Sequence, residues 1–238
     1  MTLLILKLIA SHLIGDFFLQ PKKWVKNKEK KKLKSIWLYA HITVHVALMF
    51  LIIWDLSHWK LILSIGLIHF IIDACKIIIQ NKKNKRWLFF IDQLLHFAVI
   101  FILTPLFFKE GYEFIITIKP NYLLLIICFG FLTMPTSIIM KTIFSKWNIS
   151  KLTKDNESLK DAGKYIGILE RLLVFIFIVV GHWEAVGFLI TAKSVFRFGD
   201  LTASKERKLT EYILIGTLIS FGIAILTSLL YLNLVSHV

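Results

Sequence analysis

Histidine and aspartate recur at a four-residue step in four places along the chain: His12/Asp16, His41/His45, His69/Asp73 and Asp92/His96. On an α-helix that step puts two side chains on one face, one turn apart, so each pair offers an edge with two donors. Five imidazoles and three carboxylates are too many for a single tetrahedral zinc ion. They suit two metals sharing a bridging carboxylate, or one metal with carboxylates that orient the imidazoles from behind. Nitrogen and oxygen donors favour zinc, iron or manganese over magnesium or calcium, so the expected cofactor is one or two divalent transition-metal ions. Such a centre makes hydrolysis feasible at neutral pH by lowering the pKa of water to about 7. Asp16, Asp73 and Asp92 are then the candidate catalytic residues, as ligands or general base.

The surroundings of the pairs are apolar. The chain is 57% hydrophobic with mean hydropathy +0.72, and its apolar residues come in runs of about twenty, the length that crosses a bilayer. A carboxylate at the centre of a membrane helix costs roughly 2.5 to 3.5 kcal/mol, so three of them call for a partner. The pattern predicts an all-α, polytopic transmembrane helix bundle of about eight spans with no sizeable soluble domain. The helices fall near residues 3–20, 36–54, 60–80, 87–108, 121–140, 165–181, 185–198 and 209–233, the seventh being short for a full crossing. Cys75 and Cys128 lie in apolar segments and are expected in the core, which argues against a disulfide framework. The N-terminus lacks a basic leader and a small-residue cleavage site, and is read as a retained helix.

The net charge of +14 sits in short connectors rather than on one amphipathic face, so it speaks for topology and no nucleic-acid partner is expected. Connector 21–35 carries eight lysines, and 81–86 carries Lys82, Lys83, Lys85 and Arg86. Placing both in the cytoplasm leaves 141–164 and 199–208 there too and turns 55–59 and 109–120 outward. Both termini are then outside. The chain divides into a four-helix metal-site half, 1–108, and a second four-helix half, 109–238, within one integrated membrane domain.

Counting turns from the connectors puts all eight pair residues in one layer of the cytoplasmic half. The second half brings Glu170, Arg171, Lys193, Arg197 and Glu211 to a similar depth. Two readings of these stay open. Glu170 and Glu211 can be ion-pair partners among helices, or Arg171, Lys193 and Arg197 can clamp a substrate anion, Arg being suited to phosphate by its planar fork. His58, in an outward connector, and His237, at the tail, are expected at the surface.

The runs His12-Leu-Ile-Gly-Asp16-Phe-Phe-Leu-Gln20, His69-Phe-Ile-Ile-Asp73 with Lys76, Phe90-Ile-Asp92-Gln93-Leu-Leu-His96, Gly167-Ile-Leu-Glu170-Arg171, Ala192-Lys193-Ser-Val-Phe-Arg197 and Glu211-Tyr-Ile-Leu-Ile-Gly216-Thr217 resemble the bacterial domain of unknown function 3307 family over nearly the whole chain. The resemblance implies a multi-pass protein of the bacterial inner membrane and brings no reaction with it. It also singles out Gln20 and Gln93, placed here behind the metal ligands. A fainter similarity, in the embedded His and Asp pairs, is to predicted membrane-bound metal-dependent hydrolases.

The leading functional expectation is a metal-dependent hydrolase acting on a lipid-linked phosphoester or similar amphiphile at the cytoplasmic leaflet. The alternatives are a metal-ion or proton-coupled transporter, since intramembrane Asp and His chains also mark ion paths, a di-iron oxidase suggested by His41-x-x-x-His45, and a structural bundle. No matching broken helices in repeated halves support the transporter, and paired His-His motifs of the oxidases are missing. Oligomeric state has no signature in the sequence.

Overall fold

The computed structural model describes residues 1–108, 118–147, 161–201 and 207–236, with 196–201 and 207–209 described by backbone alone. Every regular element among them is helical: α1 (Thr2–Leu13), α2 (Lys22–Lys31), α3 (Ile36–Ile53), α4 (Trp59–Ile79), α5 (Lys85–Phe107), α6 (Pro120–Leu132), α7 (Met134–Phe144), α8 (Ala162–Val179), α9 (Trp183–Leu201) and α10 (Arg207–Val235). Five stretches are long and apolar enough to cross a membrane: Ile36–Ile53, Leu56–Ile79, Lys85–Phe107, Pro120–Phe144 and Thr210–Val235. A sixth joins them if Thr2–Phe18 and Lys22–Lys34, bent by 82°, count as one broken span. This is the build of a membrane protein. Neither α8 nor α9 is among the five, because Lys164, Glu170 and Arg171 interrupt one and Glu184, Lys193 and Arg197 the other.

The chain forms two compact units, Met1–Ile127 and Cys128–Val238. In the first, α1 packs against α3 and α5, and α4 packs against the same two, so four helices close into a bundle. One half of that bundle has an apolar core of Leu4, Leu8, Met49, Ile53, Leu61, Ile62, Ile65 and Ile100. Its outer surface is apolar as well, with Leu51, Leu67, Ile71, Leu94, Phe101 and Leu106 exposed, as lipid contact requires. Polar residues fill the interior of the other half.

Two features depart from the simple reading of the first connector. The helix expected over 3–20 stops at Leu13, continues as a π-helical turn over Ile14–Phe18, and bends. The lysine-rich stretch 21–35 is not an open loop but folds into α2, followed by a 3-10 turn over Lys32–Lys34. Lysine is a good helix former, and α2 is tied to the bundle by Trp24 stacked on Trp37 at 4.7 Å and by Ser35 Oγ donating to Asn27 Oδ1 at 2.8 Å.

At the opposite end, the expected surface position of His58 is corrected: it is buried, with Nδ1 3.2 Å from Asp55 Oδ2. Cys75 is exposed rather than in the core, while Cys128 is buried. The expected side-chain roles of Arg197 and His237 lie outside the described residues.

In the second unit α8 packs on α7, α9 and α10, and α7 packs on α10. The helix expected over 121–140 breaks at Thr133, two residues before Pro135, which cannot donate to the carbonyl of Phe131. Thr136 Oγ1 donates to that carbonyl instead, at 2.7 Å.

Candidate metal centre

The four helices of the first unit deliver all eight paired residues to one buried layer. Two glycines allow the approach. A Cβ on Gly15, in the π-helical turn, would lie 2.4 Å from the His45 ring, and one on Gly66 would lie 2.6 Å from Val46. Gly15 thus lets α1 close on α3 where Asp16 meets His45. Gly66 does the same between α3 and α4, one turn before His69. The π-helical turn that ends α1 carries Asp16, whose Oδ1 reaches His45.

Asp16 is the hub. Its Oδ1 lies 3.0 Å from His45 Nε2, 3.2 Å from His41 Nε2 and 3.9 Å from His69 Nε2. Asp16, His41, His45 and His69 have donor atoms within 4.8 Å of one another, as do His69, Asp73 and His96, and Asp16, Asp92 and His96. Around a tetrahedral zinc ion with bonds of 2.0–2.1 Å, ligand atoms sit about 3.3 Å apart, so the Asp16 tetrad needs only small adjustments to grip one ion. His12 joins the layer but none of the three donor groups. Its Nε2 is 3.3 Å from Gln93 Oε1 and 3.8 Å from Asp16 Oδ2, so it stands beside the candidate donor groups.

Two glutamines contact these donors directly. Gln20 Nε2 is 2.9 Å from His41 Nε2, and Gln93 Nε2 donates to Asp16 Oδ2 at 2.8 Å and to Asp92 Oδ2 at 3.2 Å. Two lysines complete the layer. Lys28 Nζ lies 2.9 Å from Asp73 Oδ2, and Lys76 Nζ 2.6 Å from Asp92 Oδ2. Lys76 belongs to the sequence motif of α4, which gives it no role by itself. Lys28 does not stand out in the sequence because it sits among seven other lysines of a connector. A signal for it exists: read with helical period, Trp24, Val25 and Lys28 share a face.

Two observations bear on whether the residues fit a cation. His96, with both ring nitrogens buried, and Asp92 Oδ1 have no hydrogen-bond partner among the described residues, although these groups are costly to bury unmatched. Three carboxylates face two ammonium groups, leaving one negative charge to balance. A cavity of about 10 Å³, bounded by His12, His45, His69 and His96 and by Leu8, Met49, Ile65, Val99 and Ile100, adjoins the layer on its apolar side. It has room for about one water.

The family model described as Protein of unknown function (DUF3307) matches residues 3–125. The chain belongs to this family. The matched segment contains every His, Asp, Gln and Lys of the layer and ends before Arg171, Lys193 and Glu211, so the family pattern and the polar layer coincide, while the likeness read in the second half lies beyond the match. No curated protein and no solved structure matches the chain.

Within the second unit, the residues expected to hold an anion are engaged with the protein itself. Arg171 is buried. It donates from Nε to Leu132 O at 2.8 Å, from Nη1 to Ser220 Oγ at 3.2 Å, and from Nη2 to Ser137 Oγ at 2.9 Å and Thr133 O at 3.4 Å. It serves the Leu132 carbonyl at the break and shares the Thr133 carbonyl with Ser137, whose N and Oγ donate to it at 3.1 and 2.7 Å. Lys193 Nζ pairs with Glu170 Oε2 at 2.6 Å, and Glu211 is exposed. This geometry favours the ion-pair reading over the anion clamp.

Proposed function

We propose that this protein is a metal-dependent hydrolase of the bacterial inner membrane, acting on a lipid-linked phosphoester or similar amphiphile at the cytoplasmic leaflet. The observation that carries the reading is the Asp16, His41, His45 and His69 tetrad, three imidazoles and a carboxylate converging from three segments of the bundle on one point. A bound divalent ion supplies the acidity that makes water nucleophilic at neutral pH and the positive charge that stabilises a developing oxyanion. It would turn the layer's single negative charge into a single positive one, matching one anion, either hydroxide or a substrate oxygen. Asp73 and Asp92 are placed to take a proton, and Lys76, partly exposed at the rim, is placed to meet a phosphate. Lys193 and Arg171 are left with structural work.

The leaflet follows from charge. The layer lies in the half of the bundle next to α2 and to the α4–α5 connector, where Lys22, Lys23, Lys26, Lys30, Lys31, Lys82, Lys83, Lys85 and Arg86 cluster, and such clusters stay cytoplasmic. The eight-span arrangement counts α8 and α9 as polar crossings, α6–α7 as one broken crossing and α1 as the first, with both termini outside.

A transporter is the second reading. It is favoured by a hydrogen-bonded chain from Lys76 through Asp92, Gln93 and Asp16 to His45. The apolar core beyond the histidines ends that chain halfway through the bundle, which weighs for hydrolysis. Elemental analysis of detergent-purified protein, joined to a hydrolysis screen on phospholipids and polyprenyl phosphates, tests the proposal. The expected result is a bound transition metal and a metal-dependent activity, both lost in Asp16→Asn. Metal-free protein with full activity would overturn it, and liposome flux of metal or protons with no hydrolysis would replace it with transport.

A further inference from the structure

The donor groups of the layer suffice for two metals, yet two of the three carboxylates already hold a cation. Asp73 receives Lys28 on Oδ2 at 2.9 Å, and Asp92 receives Lys76 on Oδ2 at 2.6 Å. Their other oxygens point at one imidazole: His96 Nε2 is 3.7 Å from Asp73 Oδ1 and 3.7 Å from Asp92 Oδ1. That distance is too long for a hydrogen bond and close to the spacing of two ligands on one ion. His96 and Asp92 Oδ1 have no hydrogen-bond partner among the described residues. Asp73 and Asp92 therefore each share a donor group with His96, namely His69, Asp73 and His96, and Asp16, Asp92 and His96, and an ammonium group sits on the far oxygen of each carboxylate.

We infer that Lys28 and Lys76 stand in for a second metal ion, so that the protein binds one divalent cation at Asp16, His41, His45 and His69 and excludes another from the donor groups around His96. The inference rests on the metal reading given above and refines it from one or two ions to one. Its logic is charge. Two ammonium groups carry the same charge as one divalent ion, and like charges a few ångströms apart in a buried layer repel strongly. A second ion added beside both lysines would leave the layer three charges positive, whereas the same ion replacing both restores the balance of the one-metal protein.

The chain is built to deliver these lysines. Lys28 is the one buried residue of α2, a helix whose remaining lysines Lys22, Lys23, Lys26, Lys30 and Lys31 are exposed. Its position is held from both sides, by Gln80 donating to Glu29 at 3.1 Å and by the Ser35–Asn27 hydrogen bond. Lys76 lies one helical turn beyond Asp73 on α4 and crosses to Asp92 on α5. The helix α2 is thereby a floor to the layer as well as a basic connector.

Manganese titration of the full-length protein in detergent, read by elemental analysis and by electron paramagnetic resonance, decides the matter. Wild type is expected to hold one Mn²⁺ with an isolated-ion spectrum, and the Lys28→Met/Lys76→Met double variant two, with an exchange-coupled spectrum. The second equivalent should bind on the order of 100-fold or more tightly than any second equivalent in wild type. Two ions in wild type, or one in the double variant, would overturn the inference while leaving the metal centre standing. No ion in either would remove the metal reading itself. Should the double variant fail to fold, Lys28→Met alone decides: a weaker second equivalent supports the inference, and a strict single one overturns it.

Discussion

The two units bury charge in opposite ways. In the second, Arg171 is surrounded by acceptors that fit its donors one by one, namely two carbonyls at the break between α6 and α7 and the hydroxyls of Ser137 and Ser220. Each of its three nitrogens finds a fixed partner, and the result is a rivet. In the first unit, Asp16 is approached by three imidazoles at 3.0, 3.2 and 3.9 Å, and His96 by two carboxylate oxygens at 3.7 Å. Asp16 is met by His45 and Gln93, but the ring nitrogens of His96 and Asp92 Oδ1 have no hydrogen-bond partner among the described residues. A buried polar network that is fully satisfied serves stability, and one that leaves members unmatched calls for an explanation.

Arg171→Met is the harshest test of that contrast. It removes four hydrogen bonds in an apolar setting, and unfolding should become easier by about 3 kcal/mol. Metal content should not change. Measured by thermal or denaturant unfolding in detergent beside elemental analysis, the reverse outcome, intact stability with lost hydrolysis, would return Arg171 to the substrate and revive the anion clamp.

Gly15→Ala probes the other side and should be milder. The added methyl would sit 2.4 Å from the His45 ring, so the imidazole must swing away from Asp16 or α1 must retreat from α3. Displacing one donor of a metal site by such a shift should weaken metal binding by about 10- to 100-fold, with a smaller loss of stability. Unchanged affinity would show that His45 is not a ligand, and the tetrad would have to be redrawn around His41 and His69.

How far the sequence reached follows from what periodicity can see. The four-residue step puts His12, Asp16, His41, His45, His69, Asp73, Asp92 and His96 on helix faces, and counting turns sets their depth; both are properties of single helices, and all eight meet in one layer. Whether His12 is a ligand or a neighbour depends on the π-helical turn at Ile14–Phe18, which rotates Asp16 relative to His12 and which no spacing rule reveals. Lys28 is hidden because hydropathy reads a run of lysines as solvent-facing. It takes the bend after Phe18 and the docking of α2 to bury one of them. The break at Thr133 is foreshadowed by Pro135, but its partner Arg171 comes from 38 residues further along, beyond any local pattern. The sequence reading counts the charged helices α8 and α9 as spans, and they fall outside the five stretches that are long and apolar enough to cross a membrane.

A third polar group, at the far end of the first unit, gives the contrast its control. Asp55 caps the turn into α4 by accepting from Ser57 N at 2.8 Å, and it lies 3.2 Å from His58. Partial burial works against its charge, but the Ser57 hydrogen bonds and His58 outweigh it and hold the Asp55 carboxyl below the usual carboxylate value. A carboxylate with a depressed folded pKa contributes stability that is fully present above its unfolded value, about 3.9, and is lost as pH falls through the folded one. Asp55→Ala should therefore cost about 1 kcal/mol, the usual worth of such a cap. The gap from wild type should stay level between about pH 5 and 8 and close below about pH 4. Added metal should leave that gap untouched, because no group of donors gathers around a shared point at this end of the bundle among the described residues. A gap that widened or narrowed with metal would mean that the apolar core between Asp55 and the histidine layer does not insulate one from the other, and the division between a structural end and the proposed metal-binding end would fail.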